Sequence, residues 1–119
     1  MNPEQQLSPL YAAFNARDLD AVLEAMAEDV DWPNAWEGGR LHGRTAVRGY
    51  WTRQWGELDP YVEPVAFTTR ADGCVAVDVH QVVRSLDGEL LGDGRELHIY
   101  ELHDGLVTKM DVEEPSAGG

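Results

Sequence analysis

Two histidines and one aspartate stand at strand-like spacing in the second half of the chain. Asp78 and His80 are two residues apart in a long β-rich run, and His98 lies in the next such run. Because side chains of a strand alternate between its faces, Asp78 and His80 share one face, and His98 shares a face with Tyr100. Imidazoles and carboxylates are the groups that transfer protons near neutral pH. These residues are therefore the first candidates for chemistry.

What these side chains could do depends on whether they meet. A buried Asp–His–His cluster would supply a proton acceptor, with Asp78 fixing the tautomer of one imidazole. Two histidines and one carboxylate also match the facial-triad ligand set of some metal sites, but no flanking motif supports it. We therefore predict no metal and no cofactor. A hydrogen-bonded core network without chemistry remains the third interpretation.

The charge balance restricts the partners. Asp and Glu number 22 against 9 Lys and Arg, a formal charge of −13, which disfavours nucleic acid and anionic membranes as partners. The first residues lack the basic start and apolar stretch of a signal peptide, and no apolar run approaches ~18 residues, so we expect a cytoplasmic protein. Cys74 is the sole cysteine, which excludes an internal disulfide and a cysteine-based zinc site.

The first half of the chain has the periodicity of helices. Three are predicted: one ending near Asn15, one beginning near Asp18, a good N-cap, and one beginning at about Arg44. Their apolar faces are Leu7, Leu10, Tyr11 and Phe14, then Leu19, Val22, Leu23 and Met26, then Val47, Tyr50 and Trp51.

The rest of the chain reads as strands, with period-two alternation beyond residue 59. The predicted strands are 30–32, 62–69, 74–84, 96–102 and 106–112, with a short unassigned segment over 40–42 and a Gly- and Asp-rich connection over 85–94. Helices followed by antiparallel strands predict an α+β fold in which three helices pack on a curved, mostly antiparallel sheet. We expect one domain over 1–119, with a flexible tail at 114–119.

Several segments resemble a known family. They are 11–20 (YAAFNARDLD), 41–47 (LHGRTAV) and 98–102 (HIYEL). They are similar to SnoaL-like and ketosteroid isomerase-like proteins of the nuclear transport factor 2-like superfamily, over residues 7 to 113. The resemblance implies a cone-shaped α+β barrel with a deep cavity open at one end, and a homodimer through the outer face of the sheet. It implies no particular activity, because this fold hosts isomerases, dehydratases, cyclases and non-enzymes.

The catalytic positions of the steroid isomerases carry different residues here. The acidic base of that family corresponds to Asn34, its oxyanion-stabilising tyrosine to Leu10, and its protonated aspartate to His98. Tyr11 is one step out of phase with the tyrosine position. An amide cannot abstract a proton from carbon and leucine donates no hydrogen bond, so steroid isomerisation by the family's usual mechanism is disfavoured.

The same resemblance, extended without gaps, assigns the cavity-facing side of the long strand. It places Asp78, His80 and Val82 on the face of His98, which would bring the two imidazoles and the carboxylate within ~5–7 Å of one another. It directs Val75, Val77 and Val79 the other way.

The aromatic residues carry a second signal for a pocket. Trp51 corresponds to a cavity-lining position, where its indole N–H could bond a ligand, while Trp36 and Trp55 are interpreted as core packing. The predicted ligand contacts are Asn34, Trp51, Tyr50, Tyr100, Trp32, Val82 and Met110.

Two functions remain open from the sequence. One is cofactor-independent acid–base chemistry, as in a lyase, isomerase or cyclase, on a small apolar carbonyl compound, with His98 and His80 carrying protons and Asp78 orienting them. The alternative is a small-ligand-binding module of the same fold without turnover.

Overall fold

Helices and strands follow in the predicted order. In the computed structural model, which describes residues 2–34 and 36–113, the helices are α1 (Pro3–Asn15), α2 (Leu19–Glu24) and α3 (Arg44–Trp55). The strands are β1 (Met26–Pro33), β2 (Arg40–His42), β3 (Leu58–Thr69), β4 (Val75–Ser85), β5 (Leu90–His103) and β6 (Leu106–Glu113). The predicted tail at 114–119 lies outside the described residues.

The first two helices begin at side chains that satisfy free backbone N–H groups. Asn2 accepts a hydrogen bond from the Gln5 backbone N–H at 2.8 Å, in a capping box that precedes α1. Asp18, the predicted N-cap of α2, accepts from the Ala21 backbone N–H at 3.2 Å. These caps fix where each helix starts, and the apolar face of α1 is buried as predicted.

The strands form one sheet in the order β2-β1-β6-β5-β4-β3. Only the β1–β6 pair is parallel; the other pairs among the described residues are antiparallel. The helices cover one face of this curved sheet, and the core lies between them. The cone-shaped α+β fold predicted from the sequence is confirmed.

Asn15, at the end of α1, ties that helix to the sheet. Its side-chain amide donates to the Val62 carbonyl oxygen at 2.7 Å, and its carbonyl oxygen accepts from the Val62 N–H at 3.0 Å. The pair of bonds sets the position of α1 above the inner face of β3, and so places Tyr11 one turn earlier in the helix.

Two predicted boundaries are wrong. The second helix ends at Glu24, and Met26 opens β1, because its backbone lies opposite Val107 in the parallel pair with β6. A long connection was expected over 85–94, but β5 begins at Leu90, so a short turn closes the β4–β5 hairpin.

That hairpin contains a one-residue irregularity that determines the faces of β4. Near the turn Arg84 lies opposite Leu90, whereas the next pair is Val83 with Gly92, so Leu91 is an extra residue in β5. A bulge of one residue moves every later side chain of one strand to the other face relative to its partner. Beyond the bulge, Val77 therefore lies opposite His98.

Candidate functional site: an aromatic cavity with a line of polar side chains

A cavity of about 260 Å³ opens between the helices and the inner face of the sheet. Its walls come from α1, β1, α3, β3, β4, β5 and β6. The aromatic lining residues are Tyr11, Phe14, Trp32, Trp36, Tyr50, Trp51 and Tyr100, and the other polar ones are Gln54, Gln81, Glu96 and His98. The cavity is thus largely apolar, with many aromatic rings and a few polar groups that can orient a ligand.

Three of those polar groups form a buried hydrogen-bonded line. The Tyr100 hydroxyl donates to the Tyr11 hydroxyl oxygen at 2.7 Å, and the Tyr11 hydroxyl lies 2.9 Å from Nδ1 of His98. His98 itself is only 7% exposed. Because α1 supplies Tyr11 and β5 supplies the other two residues, the line exists only once the helix is seated on the sheet.

Glu96 extends the line toward solvent. One of its carboxylate oxygens, Oε1, lies 3.5 Å from Nε2 of His98, and its side chain is 32% exposed. A phenol has a single proton to donate, so a Tyr11 hydroxyl that accepts from Tyr100 donates its own proton to Nδ1 of His98. The ring proton then resides on Nε2, facing the carboxylate, which is the favourable arrangement.

The tyrosine hydroxyls remain protonated over the physiological range. Burial, first of all, raises the pKa of Tyr11 well above its ordinary value, and the neighbouring Tyr100 hydroxyl and the Glu96 carboxylate raise it further. Burial raises the pKa of Tyr100 even though its hydrogen bond to Tyr11 opposes the change. Both groups therefore act as hydrogen-bond partners and not as bases.

The predicted cluster of His98 with His80 and Asp78 does not form. His80 and Asp78 lie on the outer face of the sheet, where His80 Nε2 is 2.6 Å from Asp93 and Asp78 pairs with Arg95 at 2.6 Å. Val82, expected beside them in the cavity, shares that outer face, and Val83 lines the cavity instead. The bulge at Leu91 is the physical reason, because it reverses the face of β4 relative to β5.

The same register removes the metal hypothesis that depended on these three residues. Among residues 2–34 and 36–113, no group of three or more histidine, cysteine, aspartate or glutamate side chains could hold a metal ion.

Five of the residues predicted to contact a ligand lie on the wall of the cavity. Trp32, Tyr50, Trp51 and Tyr100 line the cavity, as does Met110. Trp51 meets the Trp32 ring edge-on at 5.4 Å between centroids, so the two indoles form a perpendicular wall.

Three other aromatic or rim positions need separate description. Asn34 is buried but serves its own loop: its side chain accepts from the Glu37 N–H at 2.8 Å and donates to the Glu37 carboxylate at 3.2 Å. It is not among the cavity-lining residues. Trp36, expected in the core, is 36% exposed and lines the cavity. Trp55 packs against the core as expected, parallel to Trp51.

Sequence reasoning missed two residues of the polar line, Tyr11 and Glu96. Tyr11 is one step out of phase with the family's tyrosine position, yet its spacing from Leu7 and Phe14 places it on the buried face of α1. Glu96 shares strand parity with His98 and Tyr100, so the alternation that joins those two residues, continued toward the start of β5, finds Glu96 as well.

Comparison with known proteins agrees with this fold and cavity. The model of the SnoaL-like domain family matches residues 8–110, so the chain belongs to that family. An NTF2-like protein of unknown function from Burkholderia pseudomallei K96243 superposes with a TM-score of 0.80 at 22% identity, over 96% of this chain and 91% of that one. No curated protein matches the chain.

Two further solved structures contain small molecules. TerC co-crystallised with polyporic acid has a TM-score of 0.79 at 23% identity, covering 96% of this chain and 92% of its own. RV0760c from Mycobacterium tuberculosis, in complex with estradiol-17beta-hemisuccinate, has a TM-score of 0.78 at 18% identity, covering 92% and 91%. At these identities the likeness establishes the fold alone. Separately, no helix in the described part of the chain is long and apolar enough to cross a membrane.

Proposed function

We propose that the cavity binds a small, largely apolar organic molecule and catalyses a cofactor-independent proton transfer on it, of the isomerase, cyclase or lyase type. The observation that carries the proposal is the line of Tyr100, Tyr11, His98 and Glu96 inside a largely apolar cavity. It supplies a carboxylate and an N–H donor side by side, which is what removal of a proton next to a carbonyl requires.

The residues divide the task as follows. A carboxylate oxygen of Glu96 takes the proton from a carbon adjacent to the ligand's carbonyl group. The electron pair of the broken C–H bond forms an enolate, whose oxygen is stabilised by the Nε2–H of His98, because a protonated Glu96 no longer holds that N–H. In an isomerisation the carbonyl re-forms as another carbon of the conjugated system takes the same proton back from Glu96. In an elimination the carbonyl re-forms as the leaving group departs from the β carbon with its electron pair and takes the proton from Glu96.

The two tyrosines fix the tautomer and orientation of the His98 ring. Tyr11 bonds Nδ1 of His98 at 2.9 Å and so keeps the ring proton on Nε2, while Tyr100 fixes the direction of the Tyr11 hydroxyl. Their raised pKa values favour neutral hydroxyls throughout the reaction. They are positioning residues, because their hydrogen bonds are made within the protein.

The size and lining of the cavity support a ligand of one or two rings. A volume of about 260 Å³ is below the roughly 300–1,000 Å³ of sites for drug-sized molecules. The related structures with estradiol-17beta-hemisuccinate and polyporic acid favour a cyclic organic ligand.

Hydrogen–deuterium exchange tests the proton transfer without knowledge of the natural product. The bicyclic ketone 2-tetralone in D₂O exchanges the protons beside its carbonyl, and NMR measures the rate. We expect the protein to accelerate exchange, and Glu96→Gln to reduce the acceleration by about 10²–10⁴-fold, the usual contribution of a positioned base. Glu101→Gln is the matched control, since Glu101 lies on the same strand but is exposed and stands opposite Lys109 in the pairing of β5 with β6.

Binding without turnover is the alternative function. It is favoured by the hydrogen bond between the Tyr100 and Tyr11 hydroxyls, which leaves neither group in need of a substrate. The line then serves as a hydrogen-bond network of the protein interior. A protein that binds 2-tetralone by NMR shift changes, yet leaves its exchange rate at the buffer value, would establish this alternative and end the catalytic proposal.

Two expectations from the sequence stay predictions. A homodimer through the outer sheet face is favoured by apolar surface there, such as Tyr61, which is 49% exposed and lies opposite Val82. Light scattering that gives the mass of one chain would contradict it. A cytoplasmic location is likewise a prediction, which fractionation of the source cells would test.

A further inference from the structure

The cavity wall carries a negatively charged side chain and, among the described residues, no lysine or arginine. Glu96 is the only Asp, Glu, Lys or Arg among the described residues that line it. Among the described residues, its carboxylate makes an ion-pair contact only with Nε2 of His98, at 3.5 Å. No lysine or arginine of the described chain therefore neutralises it. A third of this side chain is accessible, which leaves oxygen lone pairs free for a ligand.

Aromatic side chains line the same cavity as that carboxylate, Tyr11 from α1 and Tyr50 from α3 among them. Burial is the main cause that raises the pKa of both hydroxyls, and the negative charge of Glu96 raises each a little further. Tyr50 in turn lies beside Trp36 and Trp51, each at 6.3 Å between ring centroids. The faces of such rings carry partial negative charge and attract cations, most strongly at tryptophan.

Two basic side chains that adjoin lining residues are already paired. Arg53, next to the lining residue Gln54, donates to both carboxylate oxygens of Glu37 at 2.7 and 3.0 Å. Arg17, which donates to the carbonyl oxygen of the lining residue Pro60, pairs with Asp59. The formal charge of −13 on the whole chain adds a long-range field of the same sign. An anionic ligand would therefore meet a carboxylate, aromatic faces and a negative field.

We propose that the cavity selects protonated aromatic amines, with the ammonium group against Glu96 and between the aromatic rings, over neutral molecules and above all over carboxylates of the same shape. This rests on the ligand-binding role proposed above, and not on turnover. Because the ammonium occupies the oxygen that would take a proton from carbon, such an amine acts on any reaction of this site as a competitive inhibitor.

Three naphthalene probes of matched shape test the selectivity at neutral pH: 2-naphthylmethylamine, 2-naphthylmethanol and 2-naphthoate. Isothermal titration calorimetry with the unmodified protein should rank them in that order. The amine should bind about tenfold or more tightly than the alcohol, the factor that cation–π and ion-pair contacts of this kind supply. An equal or tighter affinity for the carboxylate, or no binding of any probe, overturns the inference.

Two variants assign the preference to its residue. Glu96→Gln keeps the shape of the side chain and should bring the amine to the affinity of the alcohol while improving the carboxylate. Glu101→Gln changes the net charge equally on the same strand outside the cavity, and should leave the ranking as it was. If both variants change the ranking alike, the overall field is responsible and the proposed contact is wrong.

The outcomes separate this inference from the catalytic proposal. An amine preference that depends on Glu96, without accelerated exchange of 2-tetralone, retains the selectivity and removes the catalysis. Accelerated exchange that depends on Glu96, without an amine preference, does the reverse.

Discussion

The two faces of β4 and β5 carry the same kinds of residue in opposite settings. On the inner face, His98 is 7% exposed and joined to Tyr11 and Tyr100 by hydrogen bonds. On the outer face, the side chains of His80 and Asp93 form a shorter contact of 2.6 Å but are 37% and 52% exposed.

The comparison teaches that the distance between two polar atoms is a poor guide to how much their contact stabilises the fold. An exposed ion pair contributes roughly 0–1 kcal/mol, because water screens the charges and the side chains lose freedom. A buried polar group that loses its partner costs roughly 1–3 kcal/mol, since no water replaces the lost bond. The longer inner contacts should therefore matter more for stability, and the following changes test that difference.

The largest effect is expected for Tyr11→Phe. It leaves the Tyr100 hydroxyl without an acceptor and Nδ1 of His98 without a donor, both in the buried interior. The free energy of unfolding in urea should fall by about 2–4 kcal/mol. Tyr61→Phe is the control, because that hydroxyl belongs to an exposed tyrosine on the outer face, and its loss should cost less than about 0.5 kcal/mol. Equal losses in the two variants would break the comparison.

A smaller effect should appear at alkaline pH. Folding raises the pKa of Tyr11 and Tyr100 above the ordinary value of 10.0, so the unfolded chain releases their protons first. Their stabilisation is fully present below about pH 10, and is lost as the pH rises from there toward the folded-state values. Each tyrosine should lower the free energy of unfolding by about 1.4 kcal/mol per pH unit in that range.

Urea titrations at several alkaline pH values measure this slope. In Tyr11→Phe, the fall of the free energy of unfolding with pH should be smaller by the contribution of one tyrosine. A slope that is the same in the variant would mean that the buried hydroxyls ionise as freely as exposed ones.

The smallest effect is expected on the outer face. Asp78→Asn breaks the pair with Arg95 in a setting where both side chains are at least a third exposed. The loss in unfolding free energy should be at most about 1 kcal/mol, and should shrink in concentrated salt. A loss comparable to that of Tyr11→Phe would show that the outer face has become shielded, as a dimer through that face would make it.

Much of the architecture followed from local patterns. The spacing of Leu7, Leu10, Tyr11 and Phe14 predicted the buried face of α1, and Asp18 predicted the start of α2. The lining role of Trp51 and Tyr100 was also anticipated. The gapless family match, in contrast, predicted the wrong face of β4, since Val75, Val77 and Val79, which it directs away from the cavity, are the most buried residues of that strand.

The sequence by itself determined the helices, the succession of strands along the chain and the aromatic residues of the pocket, because these depend on periodicity and on capping groups close in the chain. Only the tertiary structure decided which polar residues meet there. The extra residue at Leu91 sets the face of His80, and the seating of α1 on the sheet sets the contact between Tyr11 and His98. The first depends on the register of the β4–β5 hairpin, where a shift of one residue exchanges the inside of the sheet for the outside, and the second on a contact between residues 87 positions apart.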